Sequence, residues 1–173
     1  MAISNKERVG RILEALRQGL GPFVLREFKF IYSAKGYVTE IDSTLTNSSY
    51  QGVPDDAWKD EGKLLKSLDT AACLNLMMRR WNDVFHEKLG HNGRSFVSEM
   101  MTARNNWAHQ GRFNNDEAYR VADTAARLLK MVSAAEQATL IEEISRDLLR
   151  LRFEGEADRA KQEAIPATGE TTT

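Results

Sequence analysis

The sequence predicts an all-α protein built as a helical bundle. Three observations lead there. Apolar residues recur at three-and-four spacing in one segment after another, and no segment alternates as a strand would. The connections between most of these segments are short and carry Gly, Asn, Asp or Ser. The only prolines, Pro22, Pro54 and Pro166, interrupt no long helical stretch. Helices with short connections and no strands bury their stripes against one another as a bundle.

The first helix is expected from Asn5 to Gly19, with Val9, Ile12, Leu13, Leu16 and Leu20 on one face. Ser4 suits its N-cap, and Glu7 stands three residues on, as in a capping box. Gly19, Leu20, Gly21 and Pro22 should end it, with Pro22 opening a second helix to Ala34. Residues 35–57 are rich in Ser, Thr, Asn, Gly and Asp and read as a long loop. Within it, Val38, Ile41 and Leu45 could make a short irregular contact. A short helix follows from Trp58 to Leu68, capped by Asp55 or Asp56. Asp69 or Thr70 caps the next, through Leu89, which carries Leu74, Met77, Met78, Trp81, Val84 and Phe85 and is stopped by Gly90. Another runs from Gly93 to His109, ended by Gly111. Asn114 or Asn115 caps a helix to Met131, and a last one spans Ala134 to Phe153. Residues 154–173 are polar and acidic, and read as a disordered linker to a missing C-terminal region.

Composition narrows the function. The 173 residues suit one domain, residues 1–153, plus that tail. No apolar stretch reaches the ~18 residues of a membrane span. The N-terminal segment lacks the apolar block of a secretory signal, so a cytoplasmic protein is expected. The single cysteine, Cys73, builds neither a disulfide nor a thiolate zinc cluster, and reads as a small core residue. Residues 1–133 hold 19 Lys and Arg against 16 Asp and Glu, while residues 134–173 hold 5 against 9. A mildly basic body can hold nucleic acid locally, but it lacks the footprint of a general DNA binder.

His86, His91 and His109 are the only histidines, and none pairs at i,i+4, so no metal site is supported. A serine nucleophile elbow and a phosphate-binding P-loop are both absent. That leaves Arg and His chemistry, or no catalysis. Arg79 and Arg80 stand close before His86, but Arg79, Asn82, Asp83 and His86 share the face opposite Trp81 and Phe85, the pattern of a solvated surface. Arg104, Asn105, Asn106, Trp107, Ala108 and His109 differ, because Gly111 puts His109 in a last helical turn. There the helix dipole favours a protonated imidazole. Arg104 and His109 lie ~140° apart on an ideal helix. They converge only at a helix end or bend, or across a symmetric dimer. The plainer alternative is an Arg in a surface pair and a His capping a helix. For Trp107, core packing is the stronger reading and base stacking the weaker. The apolar residues around Met100 and Met101 could belong to an interface.

Residues 104–110, R-N-N-W-A-H-Q, followed by F-N-N-D-E-A-Y-R, resemble the HEPN superfamily, most closely the Swt-one-type HEPN domains. The opening K-E-R-V-G-R-I-L-E-A-L-R-Q-G-L-G-P-F-V (6–24) and the blocks W-N-D-V-F and R-S-F-V-S-E-M-M-T-A-R-N-N-W-A-H within 81–109 resemble the same subgroup, so the likeness spans roughly 5–131. The resemblance implies a four-helix core with accessory helices that forms a homodimer. It implies RNA cleavage without metal or cofactor by Arg104 and His109 at the dimer interface, with Asn105 at the family's polar position and Asn106 and Trp107 near the substrate. Some toxin-type members carry Tyr two residues after the His, where this chain has Gly111. Swt-one-type domains often precede ATPase or helicase-like regions in bacterial defence and RNA-processing proteins. The resemblance equally admits a non-catalytic module that dimerises, binds RNA and positions a fused or partner ATPase.

Overall fold

The computed structural model describes residues 3–164. These form six helices and no strand: α1 (Asn5–Asn47), α2 (Glu61–Ser67), α3 (Thr70–Arg79), α4 (His86–His109), α5 (Asn115–Met131) and α6 (Ala135–Ala164). A 3-10 turn (Asp55–Ala57) precedes α2, and a π-helical turn (Trp81–Phe85) joins α3 to α4. The α1 helix is the spine. It packs against α3, α5 and α6 and touches α2 and α4, while α5 and α6 form an antiparallel pair. No helix among the described residues is long and apolar enough to cross a membrane.

The start of α1 follows expectation, with the Ser4 hydroxyl accepting the Glu7 amide at 3.1 Å. Its expected end at Gly19–Pro22 is overturned, because the helix runs on through Pro22. The two glycines serve packing. A Cβ on Gly19 would overlap the Leu129 side chain and stand 3.0 Å from the Ala134 Cβ, and one on Gly21 would stand 2.7 Å from Leu65 Cδ1. The helix instead breaks at Ser33, whose φ is 71°.

The loop expected over 35–57 is helical as far as Asn47. Tyr37, Ile41, Thr44 and Leu45 are buried at helical spacing, and the hydroxyls that suggested a loop bond back to the preceding turn. Thr44 donates to the Glu40 carbonyl at 2.6 Å and Ser48 to that of Thr44 at 2.8 Å. Arg80 clasps the Ser33 break from both sides. It donates to the Tyr32 hydroxyl at 3.2 Å, the Glu40 carboxylate at 2.8 Å and the Thr44 hydroxyl at 2.9 Å.

Asp60, rather than Asp55 or Asp56, caps the short α2 helix through the Lys63 amide. Asp69 caps α3, accepting from Ala72 at 2.7 Å. The helix expected from there to Leu89 is interrupted by the π turn, which brings Trp81 and Phe85 into one aromatic cluster with Phe23 and Phe28. Gly90 bends the following helix at φ 60°. Asn114 and Glu117 close a reciprocal capping box at α5. The last helix passes its expected end at Phe153 and stays helical to Ala164, so residues 154–164 are not the unstructured linker expected. The rest of that expected linker, 165–173, lies outside the described residues.

The core holds one buried carboxylate with a partner. Glu27 is 2% exposed and accepts from Lys88 Nζ at 2.6 Å, tying α1 to the start of α4. Cys73 is fully buried, as expected, and burial pushes its thiol up to about 12 from an ordinary 9.0. The folded thiol keeps its proton where the unfolded one loses it. The stability it confers is therefore complete below pH 9.0 and is lost as pH rises toward about 12. Native protein should resist thiol-directed labelling at pH 8, and urea-unfolded protein should react fully; rapid labelling of the native state would contradict this burial.

The glycines allow a test of opposite signs. Gly19→Ala should lower stability by about 1–3 kcal/mol through overpacking, despite alanine's better helix propensity. Gly155→Ala in α6, where a Cβ meets nothing within 4 Å, should raise it by about 0.5–1 kcal/mol. Urea denaturation of both variants measures the contrast.

Candidate functional site

The motif occupies the last turns of α4. One face of these turns faces the core. Met100 and Ala103 are buried there, and Trp107 follows on the same face. Met100 is fully buried and so cannot belong to an interface as expected; Met101 is half-buried. Trp107 lies flat against the start of α1. A Cβ on Gly10 would stand 3.4 Å from its ring, and its indole N–H donates to the Lys6 carbonyl at 3.0 Å. Asn5 adds a second tie, donating to the Phe113 carbonyl at 3.0 Å and to the Asn115 side chain at 2.9 Å. The C-terminal end of α4 is thereby fixed on the N-terminal end of α1. Gly111 closes α4 at φ 67°, and a Cβ there would stand 2.9 Å from the Lys6 stem. A tyrosine at this position would have to adopt the left-handed backbone that glycine takes without strain.

Once Trp107 is fixed, the other motif residues are distributed around the helix. Arg104 is half-buried and opens into a groove of about 300 Å³ between α1 and the start of α3, beside Gly10, Arg17, Lys66, Asp69 and one edge of Trp107. Asn106 opens on the other side, into a groove of about 850 Å³. Asn105 and His109 are exposed on the outward face and line neither groove. Arg104 and His109 therefore do not meet within one chain.

Among the described residues, Arg104 has no salt bridge, and Arg104, Asn105, Asn106 and His109 make no side-chain hydrogen bond. The acids beside Arg104 are already engaged. The Arg17 guanidinium, 2.6 Å away, holds the Glu14 carboxyl below its usual range through their hydrogen bond, and Asp69 caps α3. Among the described residues Lys66 also lacks an acidic partner. Asp69 keeps its charge, since its bond is to an uncharged amide, so Lys66 and Arg104 leave the groove one net positive charge. Sequence reasoning missed Arg17 and Lys66 as neighbours of Arg104, because only the packing of α1 and α2 brings them there.

The sequence pattern of the Swt1-like HEPN family matches residues 11–133, more than two thirds of the chain. The chain belongs to the Swt1-like HEPN family. No curated protein and no solved structure shows significant similarity to it. The HEPN match runs from the second turn of α1 to the end of α5 and includes the whole motif, while α6 lies outside it.

Of the two residues expected at the substrate, Asn106 is open, whereas Trp107 is engaged in holding the HEPN fold together. Trp107→Ala should lower stability by about 2 kcal/mol, less than a fully buried tryptophan because the ring is half-exposed. Thermal unfolding measures this, and an unchanged midpoint would show that the indole anchors nothing.

Proposed function

We propose that this HEPN domain is a metal-independent endoribonuclease acting as a symmetric dimer, with Arg104, Asn105 and His109 as its working residues. One observation carries the reading. Trp107 is tied down by the fold, while Arg104, Asn105 and His109 lie within two turns of it and, among the described residues, have no side-chain hydrogen bond or salt bridge. Because Arg104 and His109 open on different faces of one chain, a second copy must complete the site.

RNA carries its own nucleophile, the 2′-hydroxyl. His109 takes the 2′-proton as general base, and the partner copy's imidazole returns a proton to the leaving 5′-oxygen. Arg104 stays charged and presents a fork to the phosphate oxygens as negative charge builds on phosphorus. Asn105 hydrogen-bonds the phosphate or orients His109. The new bond joins the 2′-oxygen to phosphorus and the P–O5′ bond breaks, leaving a 2′,3′-cyclic phosphate and a 5′-hydroxyl.

Arg104→Ala and His109→Ala should each slow RNA cleavage by at least ~100-fold. Both should leave stability within about 0.5 kcal/mol, since neither side chain supports the fold. Cleavage is measured without added metal and with EDTA present. Equal rates in wild type and both variants would refute the nuclease reading. The separation of Arg104 from His109 favours a second reading, a dimerising RNA-binding module that positions a fused or partner ATPase. RNA binding by a stable dimer with no turnover selects it.

A further inference from the structure

The larger groove lies on the Asn106 side of α4, between the start of α1, the 110–114 connection and the start of α5. Its volume, about 850 Å³, is in the range of small-ligand sites. Its floor is apolar, formed by buried Ala103 and Val121 and half-buried Phe113. The side-chain amides of Asn106 and Gln110 stand on one wall, exposed and without hydrogen-bond partners among the described residues. Lys6 and Arg112 complete the rim, and neither is in a salt bridge among the described residues. Of the groove's two acids, Glu99 is paired with Arg120, while Glu117 accepts only from the uncharged groups of Asn114 and keeps its charge. With Lys6 and Arg112 unpaired, the groove carries one net positive charge.

We infer that this groove seats one nucleotide of single-stranded RNA next to the scissile phosphodiester and sets which base is accepted there. The inference rests on the RNA reading above. An apolar floor with an aromatic edge takes the flat face of a base in any sequence. Two free amides can both donate and accept along a base edge, which discriminates among bases. Lys6 and Arg112 hold the flanking phosphate and add affinity without selectivity. Asn106 belongs both to the motif and to this groove, so a strand leaving the reaction centre enters it directly. An acidic peptide would be drawn by Lys6 and Arg112 but would leave the apolar floor and the paired amides without a use.

The experiment measures binding of fluorescein-labelled homopolymers of A, C, G and U to full-length protein carrying His109→Ala, which stops turnover. One homopolymer should bind about tenfold more tightly than the weakest. Adding Asn106→Ala and Gln110→Ala should bring all four within about threefold. Adding Lys6→Ala and Arg112→Ala instead should weaken all four alike and reduce the salt slope by about 2. Preference surviving the amide pair, no preference to lose, or displacement of RNA by a poly-glutamate peptide at equal concentration would overturn the inference. The two readings fail separately. Groove variants that lose base preference in a protein that never cleaves RNA keep the base-reading groove but remove the nuclease and with it the placement beside a scissile bond, while cleavage with unaltered preference in those variants removes this inference alone.

Discussion

The indole of Trp107 lying on Gly10 sets the layout of everything around it. A helix has one angular degree of freedom when it docks, and this contact removes it for the last turns of α4. With Trp107 facing α1 and its N–H on the Lys6 carbonyl, Arg104 must open toward α3, Asn106 toward α5, and Asn105 and His109 outward. The hundred-degree step of the helix does the rest. A Cβ at position 10 would just touch the ring at 3.4 Å, so a side chain bulkier than alanine there would lift the ring and rotate all of these groups together. The most structural residue of the motif is thus the one that gives its polar neighbours their directions.

That constraint would mean little on a loose frame. The α1 spine supplies the rigidity, although it is broken at Ser33. Arg80 restores continuity across the break, since its guanidinium reaches Tyr32 before it and Glu40 and Thr44 after it. Its planar head meets each of the three acceptors with a different nitrogen, whereas a lysine would have to bring all three to a single one. The small residues of α1 do complementary work. Gly19 and Gly21 let α5 and α2 approach where a methyl group would hold them off.

These features mark what was legible in the sequence. Periodicity identified the helices outside residues 35–47, and cap chemistry placed Ser4 and narrowed two other caps to adjacent pairs, of which Asp69 and Asn114 are used, because a cap is a local bond between near neighbours. The failures share one cause. Gly19, Gly21 and Pro22 look like punctuation, yet Leu129 and Leu65, far away in sequence, decide their role. The hydroxyl-rich stretch after Ala34 looks like a loop, yet its side chains satisfy themselves within the helix and Arg80 secures it from outside. Local signals were overridden wherever tertiary contact supplied the larger energy. The motif residues were legible from composition and resemblance, but their directions were not, because Trp107 and Gly10 meet only in the fold.

The end of α4 is locally positive in a chain with net charge −1, as the proposed phosphate contact requires. Formal charge counts Glu14, Asp69, Glu99 and Glu117 against the surrounding cations. Each of these carboxylates is already engaged, by Arg17, by the α3 amides, by Arg120 and by the α5 cap. A carboxylate paired with a guanidinium, as Glu14 and Glu99 are, projects little field toward a third group, whereas Asp69 and Glu117, bonded to uncharged amides, keep their charge. Set against Lys66 and Arg104, and against Lys6 and Arg112, they leave one net positive charge in each groove. The local potential is therefore governed by which charges remain unpaired, not by their sum. Two grooves with this property flank a single helix end, and the imidazole stands on the ridge between them. Under the proposed nuclease reading, a strand of RNA crossing that ridge would find cation on both sides and a proton carrier at the crest, and a facing copy of the same ridge would supply the second proton carrier.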